Sequence, residues 1–158
     1  MTATAHAIVA GAIAASIHNP STAYPLAFFS HFFMDAIPHW DFGTNWRMRK
    51  KSTTGIIAIA DTVLGFTVAY LLFGGKVSLL PLLICVALGN LPDWLEAPYY
   101  IFFAKRGEKH SVQNAGFLEK LSYRIYKTEN MFHTKAGFPF GVLTQIATVG
   151  YFLFLTRP

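Results

Sequence analysis

At 158 residues the chain has the length of one domain. Hydrophobic residues make up 53% and charged residues 13%, against ~25% charged in an ordinary soluble domain, which excludes a typical water-soluble fold and points to a membrane. The net charge of +5 does not mark a nucleic-acid binder, because an excess of Lys and Arg is what the cytoplasmic loops of a membrane protein carry.

The expected architecture is all-α: an integral membrane bundle of about five membrane helices plus an interfacial amphipathic helix, with residues 1–158 forming one membrane-embedded domain. Thr2–Ile17 is Ala/Gly-rich and helical. No Lys or Arg precedes its apolar run, so it reads as a retained helix rather than a cleaved signal. Its small residues, Ala3, Ala7, Gly11, Ala14 and Ala15, allow close packing against other helices. His18-Asn19-Pro20-Ser21 marks a turn, and Thr22–Ala36 follows as a second helix that stops before Pro38. Both helices are short, so the pair either spans a thinned region or forms a re-entrant hairpin.

Thr54–Phe73, Val77–Glu96 and Ala136–Leu155 are each about 20 residues long, which at ~1.5 Å per residue matches a ~30 Å hydrocarbon core. Cys85, mid-helix in the second of these, reads as inert packing. As the single cysteine it excludes an intramolecular disulfide and a thiolate zinc cluster. Pro98–Ala104 reads as an aromatic interfacial anchor. Over Gly116–Met131, Phe117, Leu121 and Ile125 recur every four residues, with Glu119, Lys120, Arg124 and Lys127 elsewhere round the helix. That pattern predicts an amphipathic helix on the membrane surface. Loop 37–53 and segment 97–135 carry eleven Lys and Arg against two, Lys76 and Arg157, on the other side. This places both segments on the cytoplasmic side of a bacterial-type inner membrane.

In that frame the acids and histidines stand out. His6, His31, Asp35, His39, Asp41, Asp61, Asp93 and His133 lie in or beside apolar segments, and the topology brings them all to one membrane face. A carboxylate inside a membrane costs ~2.5–3.5 kcal/mol, so it calls for a partner. His31 and Asp35, four apart, share one helix face. Pro92 is expected to break its helix and turn a carbonyl and Asp93 toward a wet cavity. Imidazoles and carboxylates together are the ligands of divalent metals. His6, His31, Asp35, Asp61, Asp93 and His133 are therefore the expected ligands of one or two ions, zinc ahead of manganese or iron. His39 or Asp41 is a further ligand or the general base. Arg47 and Lys135 are placed to hold a phosphate headgroup, with helix 116–131 as one wall of the approach. Plainer roles exist: Asp35, Asp41 and Asp93 as caps or turn formers, His6 as an interfacial residue, Glu96 and His110 at the surface, His18 in a turn. Asp61 and His31 fit such roles least, being deep in apolar sequence.

The pattern His31-x3-Asp35-x2-Pro38-His39-x-Asp41, then Gly89-x-x-Pro92-Asp93, then His133 resembles the small bacterial membrane-bound metal-dependent hydrolase-like proteins over most of the chain. Its first ten or so residues are also similar to the ligand helix of zinc-dependent phospholipases C. The resemblance maps His6, His31, Asp35, His39, Asp61, Asp93 and His133 to the site. The chain lacks the His-rich ligand set of the phospholipases, so one or two ions are expected rather than three. The expected activity is hydrolysis of a phosphoester in a lipid or amphiphilic substrate, with the membrane as partner and no nucleic acid. The alternative is a protein that binds or transports a divalent metal without hydrolysis. The apolar outer halves of the last three long helices offer no exit path for an ion, which favours hydrolysis.

Overall fold

The computed structural model describes residues 1–41, 49–105 and 115–156. Among these are six α-helices and no strands: α1 (Ala3–Ser16), α2 (Pro20–Ala36), α3 (Lys51–Phe73), α4 (Leu79–Pro98), α5 (Phe117–Phe132) and α6 (Phe140–Leu155). Arg47 and His110, singled out from the sequence, lie outside the described residues.

α1 is the centre of the bundle. It is apolar all round, and a helix of that kind is buried rather than half-exposed. Ten of its fourteen residues are buried, and it packs against α2, α3, α4 and α6. Small residues make this possible. A side chain at Gly89 of α4 would place its Cβ 2.8 Å from the Cβ of Ala10, and one at Gly65 of α3 would stand 3.0 Å from the Cβ of Ala7. Thr2 caps α1, its hydroxyl accepting from the amide of Ala5 at 3.3 Å. Asn19 caps α2 ahead of Pro20, accepting from Ser21 at 3.0 Å.

α3, and α4 with its continuation to Phe103, are long and apolar enough to cross a membrane. α1, α2 and α6 rise only about 21, 26 and 24 Å, short of a ~30 Å core. Two helices rather than five therefore meet the length and hydropathy that a span demands. Three other expectations change. Residues 98–103 continue the helix, as a π-helical turn over Tyr99–Phe103, instead of forming a separate anchor. Tyr99 is buried and stacks on Tyr126 at 4.2 Å, which ties α5 to α4. Pro92 does not break α4, which runs through it. Glu96, placed at the surface by its sequence neighbours, is buried, because α5 packs across that end of α4.

Candidate metal centre

Six stretches of chain bring ligand-type side chains to one end of the bundle. α1 supplies His6, and the last turns of α2 supply His31 and Asp35. The connection after α2 carries His39 and Asp41. α4 supplies Asp93, α5 supplies Glu129, and His133 follows α5. A backbone link sets the last histidines face to face. The amide of His39 donates to Thr134 O at 3.0 Å, and the amide of Ala136 donates to His39 O at 2.7 Å. The amide of Thr134 donates to Asp35 O at 2.8 Å.

Asp35 is the hub. It is fully buried, and each of its two oxygens faces one imidazole from each half of the cluster. Oδ1 lies 3.2 Å from His6 Nε2 and 3.6 Å from His39 Nε2. Oδ2 lies 3.4 Å from His31 Nε2 and 3.5 Å from His133 Nδ1. The amino group of Met1 is also set against Oδ1. Three overlapping sets have ligand atoms within 4.8 Å of one another: His6, His31 and Asp93; His31, Asp35, Asp93 and Glu129; and Asp35, His39 and His133. The first two share His31 and Asp93, and the third joins them through Asp35. The arrangement is two adjoining ligand groups with a carboxylate between them.

The hydrogen bonds leave the right atoms available. His31 Nδ1 faces Gly89 O at 2.8 Å and His39 Nδ1 faces Ile37 O at 2.7 Å. A proton on each Nδ1, assigned from these carbonyls, leaves each Nε2 lone pair directed into the cluster. Pro92 lacks the amide that would bond the carbonyl of Leu88, one residue before the carbonyl that His31 engages. His6 and His31 stack with ring centroids 3.9 Å apart. His6 has no hydrogen-bond partner for either ring nitrogen, and Asp35 Oδ2 has none either. Buried polar atoms in that condition cost ~1–3 kcal/mol each, so a further group is called for. A cation held by imidazole nitrogens and carboxylate oxygens fits this donor set. Burial raises Asp41, on the connection, but the hydrogen bond from His133 and the charge of Lys135 outweigh this and hold its carboxyl well below the usual range.

Of the residues expected to be ligands, His6, His31, Asp35, Asp93 and His133 meet, and His39 joins them. Asp41 stands at the rim, with Oδ2 2.7 Å from His133 Nε2. Asp61 belongs to none of these sets. Its carboxylate accepts from the amide of Ala3 at 2.7 Å, the amide of Thr4 at 3.3 Å and the hydroxyl of Thr4 at 2.6 Å. It neutralises the positive end of α1, which explains a carboxylate deep in apolar sequence without a metal. Asp61→Ala is therefore expected to leave metal per chain unchanged by elemental analysis. It should cost about 1–2 kcal/mol in unfolding, as the loss of a helix cap does.

Glu129 was not anticipated. It is buried, with Oε1 2.9 Å from His31 Nε2. The apolar spacing of Phe117, Leu121 and Ile125 does not point to it, because Phe117 and Leu121 are exposed while Glu129 is buried.

Beside the centre, between α3 and the end of α4, is a cavity of about 290 Å³. Asp41, Asp93 and His133 line it where it meets the cluster, Asp61 and Glu96 add two further acids, and Arg49, Lys51 and Lys135 contribute cations. No residue of α5 lines it, so the expectation that helix 116–131 walls the approach gives way to a wall made by α3.

No family model, no curated protein and no solved structure matches this chain. The site therefore stands on its own geometry: an all-helical fold with buried His, Asp and Glu groups that could hold a metal ion.

Proposed function

We propose that this protein is an integral membrane metal-dependent hydrolase that cleaves a phosphoester in a lipid or amphiphilic substrate. The observation that carries this reading is Asp35, buried between four imidazoles with one oxygen unpartnered, next to a cavity that reaches the same cluster. His6, His31, Asp93 and Glu129 would hold one divalent ion, His39 and His133 a second, with Asp35 between them. Zinc suits this mixture of nitrogen and oxygen donors best. Ions so held supply a water-derived nucleophile at neutral pH and draw charge from the phosphoryl oxygen.

The chain's own groups have distinct tasks. The carbonyls of Gly89 and Ile37 orient His31 and His39. Asp41 lines the cavity and His39 does not, so Asp41 is placed to accept a hydrogen bond from the reacting water and orient it, and His39 is a ligand. The site opens onto a cavity instead of being closed over by protein, which favours catalysis over a purely structural ion. The resemblance to the membrane-bound hydrolase-like proteins rests on these same residues.

In this reading α1, α2 and α6 complete a five-helix membrane bundle. α1 need not match the lipid thickness, because neighbouring helices surround it. The excess of Lys and Arg sets the site at the cytoplasmic face of an inner membrane. The test is hydrolysis by the purified chain, with zinc or manganese added, against a panel of phospholipids and phosphate monoesters. Release of phosphate or a phosphorylated headgroup should stop with chelator and fall at least 100-fold in His133→Ala. Turnover indifferent to both would sink the reading.

A further inference from the structure

We propose that the cavity between α3 and α4 is a lateral binding site for a bilayer amphiphile with a phosphate headgroup. The headgroup lies against the metal centre, and the acyl chains leave sideways into the membrane. What happens to that lipid rests on the hydrolase reading; the binding site rests on the observations that follow.

The cavity is bounded by the two helices of the chain that are long and apolar enough to cross a membrane. Its inner end is made by metal-centre residues. Its flanks are apolar, with Ile57 and Ala58 from α3 facing Trp94 and Ile101 from the α4 side. Several of these flanks also face outward: Ile59 and Ile101 are each 55% exposed and Trp94 41%. The cavity is thus continuous with the surface that α3 and α4 turn away from the bundle.

Size narrows the choice. About 290 Å³ is at the small end of the ~300–1,000 Å³ of sites that engulf a whole ligand. A phosphate headgroup and the first carbons of its chains fit, and a full diacyl lipid has to extend outside. Charge points the same way. Lys51 donates to Ile101 O at 3.0 Å and so bridges the two walls, and an ammonium has three donors. Lys135 stands 3.5 Å from Asp41 at the rim. Asp41, Asp61, Asp93 and Glu96 line the same cavity, so an anion is held there by these cations together with metal bound by the neighbouring acids. Apolar flanks suit hydrocarbon beyond it. A water-soluble phosphate ester would use the first feature and leave the second without a purpose.

Gly55 gives a clean test. It lines the cavity, and a Cβ built there meets nothing within 4 Å. A large side chain at that position fills the cavity without disturbing a packed interface. The full chain is reconstituted in phosphatidylcholine vesicles with a trace of a diacyl phosphonate, a non-hydrolysable phosphatidic acid analogue with a diazirine near the headgroup. Photolabelled residues are mapped by mass spectrometry. Label should fall within residues 54–62 and 94–101, be displaced by unlabelled diacyl phosphonate, and resist glycerol 3-phosphate. Gly55→Phe should lower labelling at least tenfold with metal per chain unchanged, and Gly55→Ala should preserve it. Labelling with this pattern but no hydrolysis of any substrate upholds the lipid site and removes the hydrolase reading. Hydrolysis of soluble esters that Gly55→Phe leaves intact, with label scattered or unaffected, overturns the lipid site and leaves the hydrolase standing.

Discussion

On the proposed two-ion reading, replacing Asp35 with asparagine is expected to strip the protein of both ions, not one. Each Asp35 oxygen faces an imidazole from each half of the cluster: His6 and His39 near Oδ1, His31 and His133 near Oδ2. Asparagine keeps the volume and one acceptor but removes the negative charge and gives an NH₂ group that points donors at lone pairs. Losing a group that merely orients a ligand weakens a metal site by about 10–100-fold, and a carboxylate shared by two ions should exceed that. Elemental analysis should find less than a tenth of wild-type metal after one desalting step. His6→Ala, by contrast, should spare the half built from His39 and His133 and retain part of the metal. Equal retention in Asp35→Asn and wild type would refute the shared-carboxylate arrangement.

Removing metal from the wild type is the second large effect. The centre buries Asp35, His6, His31 and His39 at 1% exposure or less and Glu129 at 4%, with His6 and one Asp35 oxygen unpartnered. Such a group of acids and imidazoles needs positive charge among them out of water, and the Met1 amino group at Asp35 supplies only part of it. A ligand present at about 1,000 times its dissociation constant stabilises the folded state by ~4 kcal/mol. At ~2–4 °C per kcal/mol for a chain of this size, chelation should lower the midpoint of thermal unfolding in detergent by roughly 10 °C. Restoring zinc should reverse the change, and Asp35→Asn should show no response to chelator. An unchanged midpoint in the wild type would mean that no ion helps to hold these helix ends together.

Much of this centre is legible in the chain. His31 and Asp35 share a face because they are four apart on a helix, whatever surrounds it. The convergence of His6, Asp93 and His133 follows from helices that reverse direction at each turn. Asp61 shows where such reasoning fails. Depth in apolar sequence says that a carboxylate needs a partner, but it cannot say whether that partner is an ion or the open end of another helix. Three hydrogen bonds to residues 3 and 4 answer that, and they join positions nearly sixty residues apart. Glu129 fails in the opposite sense. The helix around it has the charged face of a surface element, and only its packing across α4 makes Glu129 an interior residue.

The sequence by itself determined the helices, the turns at Asn19-Pro20 and before Pro38, and the set of residue types able to bind metal. These depend on local periodicity, on proline's missing donor and on the chemistry of side chains. Only the tertiary structure decided which acids meet: that Asp35 sits between two ligand groups, that Glu129 joins them, that Asp61 caps α1, and that the cavity opens between α3 and α4. Those outcomes depend on how closely the helices pack, which is set by contacts such as Gly89 against Ala10. Such contacts pair residues far apart in the chain, and no local pattern records them.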